Sequence, residues 1–284
     1  MSSYSSTRSI SPRIAMKGLN SCMPECRTPT GKLLGRTYMA TQAPQKMDFE
    51  QWKEGITKAV GDPKWNAWDC DIQMAVNEYN RHLSSTAGYV SLDWQLIKAM
   101  LWVETGANNS QWNSKPMQIG VTGDPGLSSF LSNDEGSDLI LPPAWKGRLT
   151  TGSVRSIPTH NIHAGIGYLL MRMANFEFQT VPASDPKVYE VTVKRGDSLE
   201  KIAKTQGSTP ETLKRLNPKA ATLQPGQVLR YQKASVQRVI TGWRSISANM
   251  VAQRYNGGGD PNYARKLNHT LSLVRSAKAV ACAQ

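Results

Sequence analysis

Glu104 is the residue whose type and position invite chemistry. It follows the run WQLIKAMLWV from Trp94, between Asp93 and Gly106. Asp93 has the chemistry of a helix N-cap and Gly106 that of a helix stop. Ile97, Met100, Leu101 and Glu104 then share one face, at offsets 0, 3, 4 and 7. A carboxyl on the greasy side of a helix loses hydration, so its neutral form is favoured and its pKa rises. That is what a general acid near neutral pH requires. The competing reading is a wet carboxylate at a frayed helix end. Further along stand Met117 and Gln118, Asn161, and Tyr255 and Asn256, all uncharged.

Several elements must bring these residues together. From Met47 the pattern is helical: Phe49, Trp52 and Ile56 fit one stripe, and Ile72, Ala75, Val76, Tyr79 and Leu83 the next. Gly61-Asp62-Pro63 divides them as a turn. Residues 105–150 are rich in Gly, Asn, Asp and Pro; a loop this long is expected to wall a substrate cleft. A further helix is expected to start at Asn161, with Ile162, Ile166, Leu169, Leu170 and Met173 inward and Ala164, Gly165 and Gly167 allowing close approach. Residues 182–186 read as a linker. The period then switches to two: Tyr189, Val191 and Val193 alternate with polar residues, as in a half-buried strand. A short helix capped by Asp197 follows, then a second that starts Thr209-Pro210, then a strand from Gln227 to Tyr231. After Ala234 helical spacing returns, through Trp243, Ile246, Met250 and Val251 to Tyr255. Tyr263, Leu267, Leu271 and Val274 line the last helix.

Two resemblances emerge. Glu104-Thr105-Gly106 with Pro116-Met117-Gln118-Ile119-Gly120, the Asn161-Ile162 … Ala164-Gly165 … Tyr168-Leu169 helix and Arg254-Tyr255-Asn256-Gly257-Gly258-Gly259 together resemble the signature blocks of soluble lytic transglycosylases and goose-type lysozymes. Thr105 stands where that family has Ser, and Pro116 departs from its loop pattern. The resemblance implies Glu104 as catalytic acid and base, with Met117, Gln118, Asn161, Tyr255 and Asn256 against substrate. Tyr255 either orients Glu104 by its phenol or lines the cleft.

The second covers Tyr189 to Leu229. Tyr189-x-Val191-x-Val193-Lys194-x-Gly196-Asp197-Ser198-Leu199, Leu213-x-x-Leu216-Asn217-Pro218 and Leu223-x-Pro225-Gly226-Gln227 resemble a LysM module. Such modules bind chains containing N-acetylglucosamine. The resemblance implies a sugar groove between Gly196, Asp197, Ser198 and Leu199 on one side and Asn217, Leu223 and Gln224 on the other. The expected fold is therefore α+β: a mainly helical lysozyme-like domain over 48–181 and 235–284, a βααβ module inserted at 187–234, and a basic flexible arm over 1–47.

The 284 residues carry a formal net charge of +13. A basic surface favours polyanions. No helix-turn-helix, zinc-finger or RNP-type pattern is present, so nucleic acid is not expected and the anionic bacterial wall is favoured. No apolar run reaches the ~20 residues of a membrane span. His160 and His163 lack further ligands, and no C-x-x-C pair occurs, so neither metal nor cofactor is expected. Cys22, Cys26, Cys70 and Cys282 allow three pairings, or free thiols. The N-terminus lacks the apolar core of a secretory signal. An enzyme of the wall would then leave the cytoplasm by a phage or a secretion apparatus, and an interbacterial toxin would have an immunity protein as partner.

The expected activity is cleavage of the bond between N-acetylmuramic acid and N-acetylglucosamine in peptidoglycan, as a lytic transglycosylase forming 1,6-anhydromuramyl ends. The alternatives are a lysozyme-type muramidase and a non-catalytic LysM wall binder. A basic nucleic-acid binder is the remaining class.

Overall fold

A computed structural model describes residues 49–220, 222–277 and 282. The arm expected over 1–47, with Cys22 and Cys26, lies outside the described residues.

Helix α1 (Phe49–Lys58) and a 3-10 turn at Pro63–Asn66 lead into α2 (Asp69–Leu83). Asp62 caps the 3-10 turn, accepting from Lys64 N, and Pro63 stands at its first position, where a missing N–H costs nothing. Helix α3 (Trp94–Glu104) begins where expected, with the Asp93 carboxylate accepting from Gln95 N at 2.9 Å. It ends at Thr105, and Gly106 takes the left-handed φ of +69°.

The 105–150 stretch is more regular than its composition suggests. It holds a 3-10 turn at Ser110–Asn113, helices α4 (Gly126–Ser132) and α5 (Ser137–Ile140), and a 3-10 turn at Pro143–Trp145. These pieces are too short for periodicity to reveal, and tertiary packing holds them. Helix α6 (Thr151–Ser156) has a Thr150–Ser153 capping box. Helix α7 (Pro158–Met173) starts three residues before Asn161, with Pro158 at its first position.

The C-terminal side corrects the expectation of unbroken helical spacing after Ala234. Strand β1 (Ala174–Pro182) pairs antiparallel with β4 (Ala234–Trp243), with a bulge between Asn175 and Phe176. Between them lie β2 (Val188–Thr192), α8 (Leu199–Gln206), α9 (Pro210–Leu216) and β3 (Val228–Gln232), where β2 pairs antiparallel with β3. The inserted unit is thus βααβ, as the alternation predicts, and it is carried on a two-stranded ribbon that the sequence reading missed. Helices α10 (Ala248–Arg254) and α11 (Tyr263–Ser276) complete the regular elements of the described residues.

Two separate cores result. One unites the helices: Ile97, Met100 and Leu101 of α3 are fully buried with Ile162, Ile166 and Leu169 of α7 and Leu267 of α11. Truncating one of these large side chains to Ala would cost about 2–5 kcal/mol. The other is small, formed by Val193, Ile202, Ala203, Leu213 and Leu229 of the inserted unit. Helix α11 lies along α3 in the opposite sense: Tyr263, at its start, meets Glu104 at the end of α3, and Arg275, near its end, meets Asp93 at the start of α3. Cys70 of α2 is bridged to Cys282, with Cα atoms 5.4 Å apart, which ties the C-terminal end to the body. The architecture is α+β, with small sheets beside a predominantly helical body. Among the described residues, no helix is long and apolar enough to cross a membrane.

Candidate functional site

Glu104 closes the buried face of α3. Its Oε1 accepts a hydrogen bond from the Tyr263 hydroxyl at 2.6 Å. Its Oε2 has no hydrogen-bond partner among the described residues and is not sealed from solvent. Burial raises the carboxyl's pKa from 4.5 to about 7. The Tyr263 bond opposes this, since it stabilises the ionised form, while the negative charges of Asp124 and Asp260 push the same way as burial. The group therefore holds its proton close to neutrality and can both give and take one.

The phenol on Glu104 comes from Tyr263, not from Tyr255. The apolar stripe of α11 hid this role, because a buried tyrosine at helical spacing reads as core. Tyr255 instead donates to Met117 O at 2.8 Å and stands edge-on to Tyr168, with ring centroids 5.6 Å apart. It braces the 116–120 segment beside Glu104 and does not bond the acid itself.

That segment is held from three sides. Asn161 Oδ1 accepts from Met117 N at 2.9 Å, and Asn161 Nδ2 donates to Ile119 O and Val154 O, both at 2.9 Å. Met117 and Asn161 are both fully buried. These two residues, expected against substrate, have their side chains engaged within the scaffold. Gly165 explains how Met117 fits, since a Cβ there would lie 2.7 Å from Met117 Cβ.

Gln118 takes a left-handed φ of +54°, uncommon for a residue with a side chain. Its Nε2 donates to Thr105 Oγ1 at 2.9 Å and lies 3.0 Å from Gln111 Oε1. Its Oε1 has no partner among the described residues. The Thr105 hydroxyl in turn donates to Pro116 O at 2.8 Å and so ties the helix end to the loop. Asn256 Oδ1 accepts from Asp260 N at 3.1 Å and closes the glycine turn. Asp124 accepts from Gly120 N and Gly126 N, both at 2.8 Å, and Asp260 pairs with Lys266 at 2.7 Å. Glu104, Gln118 and the Tyr255 segment are thus brought together around one acid.

The cleft expected over Glu104 is not among the prominent cavities. One of about 640 Å³ lies between residues 88–96, 243–248 and α11, and one of about 300 Å³ lies beside Glu78 and Pro143. The two histidines of α7 have packing roles. His163 Nδ1 lies 2.9 Å from Thr159 O and its Nε2 3.2 Å from Glu78 Oε2, while His160 meets Trp145 edge-on. Burial lowers the pKa of His163 despite these acceptors.

In the inserted unit, Val193 N donates to Gln227 O and Gly226 N to Val193 O, at 2.8 and 2.9 Å. This pairing brings the Gly196–Leu199 loop and the Leu223–Gln227 loop to one end of the unit. Gly196 has φ +81°. The cap of α8 is Ser198, which accepts from Lys201 N, whereas Asp197 closes the turn before it by accepting from Lys194 N at 2.8 Å. The expected Asp197 cap is thus corrected to Ser198: the side chain one residue nearer the helix reaches the N–H. Asn217 clamps β3 through Arg230 N and O, at 2.9 and 2.7 Å. Leu199 and Leu223 pack against the small core, and Gln224 N donates to Gln227 Oε1. Most of the named loop residues therefore keep the fold, with their outer surfaces open.

Comparison with known families matches residues 191–231 to the LysM domain. No match supports the lysozyme-like reading of the helical body. No curated protein and no solved structure matches the chain. LysM domains bind the N-acetylglucosamine-containing glycan strands of peptidoglycan. The part of the chain with an assigned relationship is its βααβ insert, a LysM domain held on the β1–β4 ribbon of a helical body that carries Glu104.

Proposed function

We propose that the chain cuts the glycan strands of peptidoglycan, gripping them with its LysM domain and cleaving them at Glu104. The observation that carries this reading is the Glu104–Tyr263 pair: a carboxyl with its pKa near 7, held by one phenol, with its second oxygen unbonded. Glycoside cleavage needs a proton on the leaving oxygen as the bond to C1 breaks. Glu104 supplies it.

Asp124 and Asp260, the carboxylates whose charges act on Glu104, are engaged by backbone N–H groups and by Lys266. A transglycosylase needs no second carboxylate. The C6 hydroxyl of the muramyl sugar closes on C1 and gives its proton to the Glu104 carboxylate, which restores the acid. The product is a 1,6-anhydro end, and no water is consumed. Gln118 Oε1 is available to accept from a substrate hydroxyl or amide. A wall substrate puts this work outside the cytoplasm.

Purified sacculi digested with wild type and Glu104→Gln, with soluble products read by mass spectrometry, test the proposal. Anhydro-muropeptides from wild type alone are expected. Reducing ends would make the enzyme a hydrolase. Equal release by the variant would remove Glu104 from the mechanism, and wall binding without release by either would leave a binder.

A further inference from the structure

The 640 Å³ cavity lies at the opposite end of α3 from Glu104, about 15 Å away along the helix axis. Its volume is in the range of ligand sites. Three features define its chemistry. The first is its floor, built from Leu92, Leu96 and Leu271, with Tyr89 and Trp243 packed edge to face on one side at 4.9 Å. The second is a pair of walls of irregular backbone, residues 88–93 and 244–247, outside any helix or strand. The N–H and C=O groups of Val90, Ser91, Ser245 and Ile246 have no partner among the described residues. The third is Arg275 at the rim, bonded through Nη2 to Asp93 at 2.8 Å, with 55 % of its side chain exposed. Each Asp93 oxygen accepts one bond, Oδ1 from Gln95 N and Oδ2 from Arg275 Nη2, so the cap of α3 also anchors the guanidinium. The remaining nitrogens of Arg275 have no partner among the described residues.

We propose that this cavity is a second ligand site, and that it takes a short extended peptide ending in a free carboxylate. Main-chain groups without a protein partner, in both loops that line the cavity, suit the main chain of an extended peptide. The leucine floor suits small aliphatic side chains. A guanidinium held by a carboxylate, with donors to spare, suits a terminal carboxylate. A sugar fits less well, because the floor offers apolar surface where a sugar presents hydroxyls. The wall's own stem peptides are short, alanine-rich and carboxylate-terminated; naming them as the source rests on the reading of the chain as a wall enzyme. In that setting the site would favour glycan strands that still carry their peptides.

The test is a calorimetric titration of the full chain with the tetrapeptide L-alanyl-D-isoglutaminyl-L-lysyl-D-alanine, whose one carboxylate is terminal, and with its C-terminal amide. Saturable binding of the acid is expected, with the amide weaker by about tenfold, the scale of one charge-assisted contact. Arg275→Gln should weaken the acid to the level of the amide. Leu271→Trp, which fills the cavity, should abolish binding of both. A tetramer of N-acetylglucosamine, titrated into the same proteins, reports separately on the LysM domain. No saturable peptide binding, equal binding of acid and amide by wild type, or unchanged binding by Leu271→Trp would each overturn the proposal. Should Leu271→Trp fail to fold, the surface variant Arg275→Gln decides alone. None of these readings measures glycan cleavage, so a protein that leaves sacculi intact can still bind the peptide, and the reverse.

Discussion

Tyr263 donates a 2.6 Å hydrogen bond to Glu104 from a position 159 residues further along the chain. The two side chains meet because α11 runs antiparallel to α3. The bond favours the carboxylate, whereas burial favours the acid, and burial wins. The acid's proton affinity is thus a balance in which burial, helped by the charges of Asp124 and Asp260, opposes the phenol.

Removing the phenol's hydroxyl separates them. In Tyr263→Phe the ionised form of Glu104 loses its donor, so its pKa should rise above the value of about 7 in the parent. The basic limb of the pH–rate profile on sacculi should move to higher pH. A carboxyl-carbon NMR titration reads the same shift without substrate. A profile that merely drops in height, with its limbs in place, would make Tyr263 a packing residue only.

Glu104 should also make stability depend on pH. Its folded-state pKa, about 7, stands above the ordinary value of 4.5. Well below 4.5 both states hold the proton and the group contributes nothing. Between the two values the unfolded chain releases its proton first, so stability falls as pH rises. Above 7 the penalty is constant, at most about 3 kcal/mol. Glu104→Gln should therefore be more stable than wild type at pH 8 and nearly equal to it at pH 4. Urea unfolding at both values checks this.

Gly165→Ala should loosen the segment beside the acid. The new methyl would lie 2.7 Å from Met117 Cβ and 2.8 Å from its Cγ, in a fully buried setting. Overpacking of this kind costs about 1–3 kcal/mol. A lowered thermal midpoint is expected, together with reduced activity on sacculi, because Met117 and Gln118 must shift together.

The LysM domain should be separable from the body. Ala183 N donates to Lys233 O at 2.9 Å, so the ends of the insert already meet across the ribbon. Replacing residues 184–232 with an Asn-Gly turn should close β1 on β4 as a hairpin. The helical body should keep its unfolding midpoint, because its core and that of the insert share no buried residue. Binding of N-acetylglucosamine tetramer should vanish. Loss of the body's cooperative unfolding would refute the separation.

The parts of the fold that could be read in the chain were those with a long, uniform period. Helix α3 with its Asp93 cap, helix α2 and the βααβ alternation all carry many residues that agree. The β1–β4 ribbon does not. Phe178 and Val236 are 68 % and 60 % exposed, so its strands lack the buried alternate face that makes a strand visible. Glu104 was legible because a carboxylate on a greasy stripe is anomalous. Tyr263 was not, since a buried phenol on such a stripe violates nothing until its partner is known. Asn161 was named as a substrate contact, and its clamping of the 116–120 segment was not legible, because only three-dimensional proximity to Met117, Ile119 and Val154 reveals it.

The interposed ribbon also sets an order of events at the ribosome. At roughly 5–20 residues per second, Tyr263 emerges some 8–30 s after Glu104, with the whole βααβ insert made in between. A nascent chain therefore has every residue of the βααβ insert while Glu104 still lacks its Tyr263 phenol and α3 its partner helix. A translation product that stops anywhere between residues 234 and 262 would carry the LysM residues without the Glu104–Tyr263 pair, so the order of synthesis leaves that pair to form only after α11 is out.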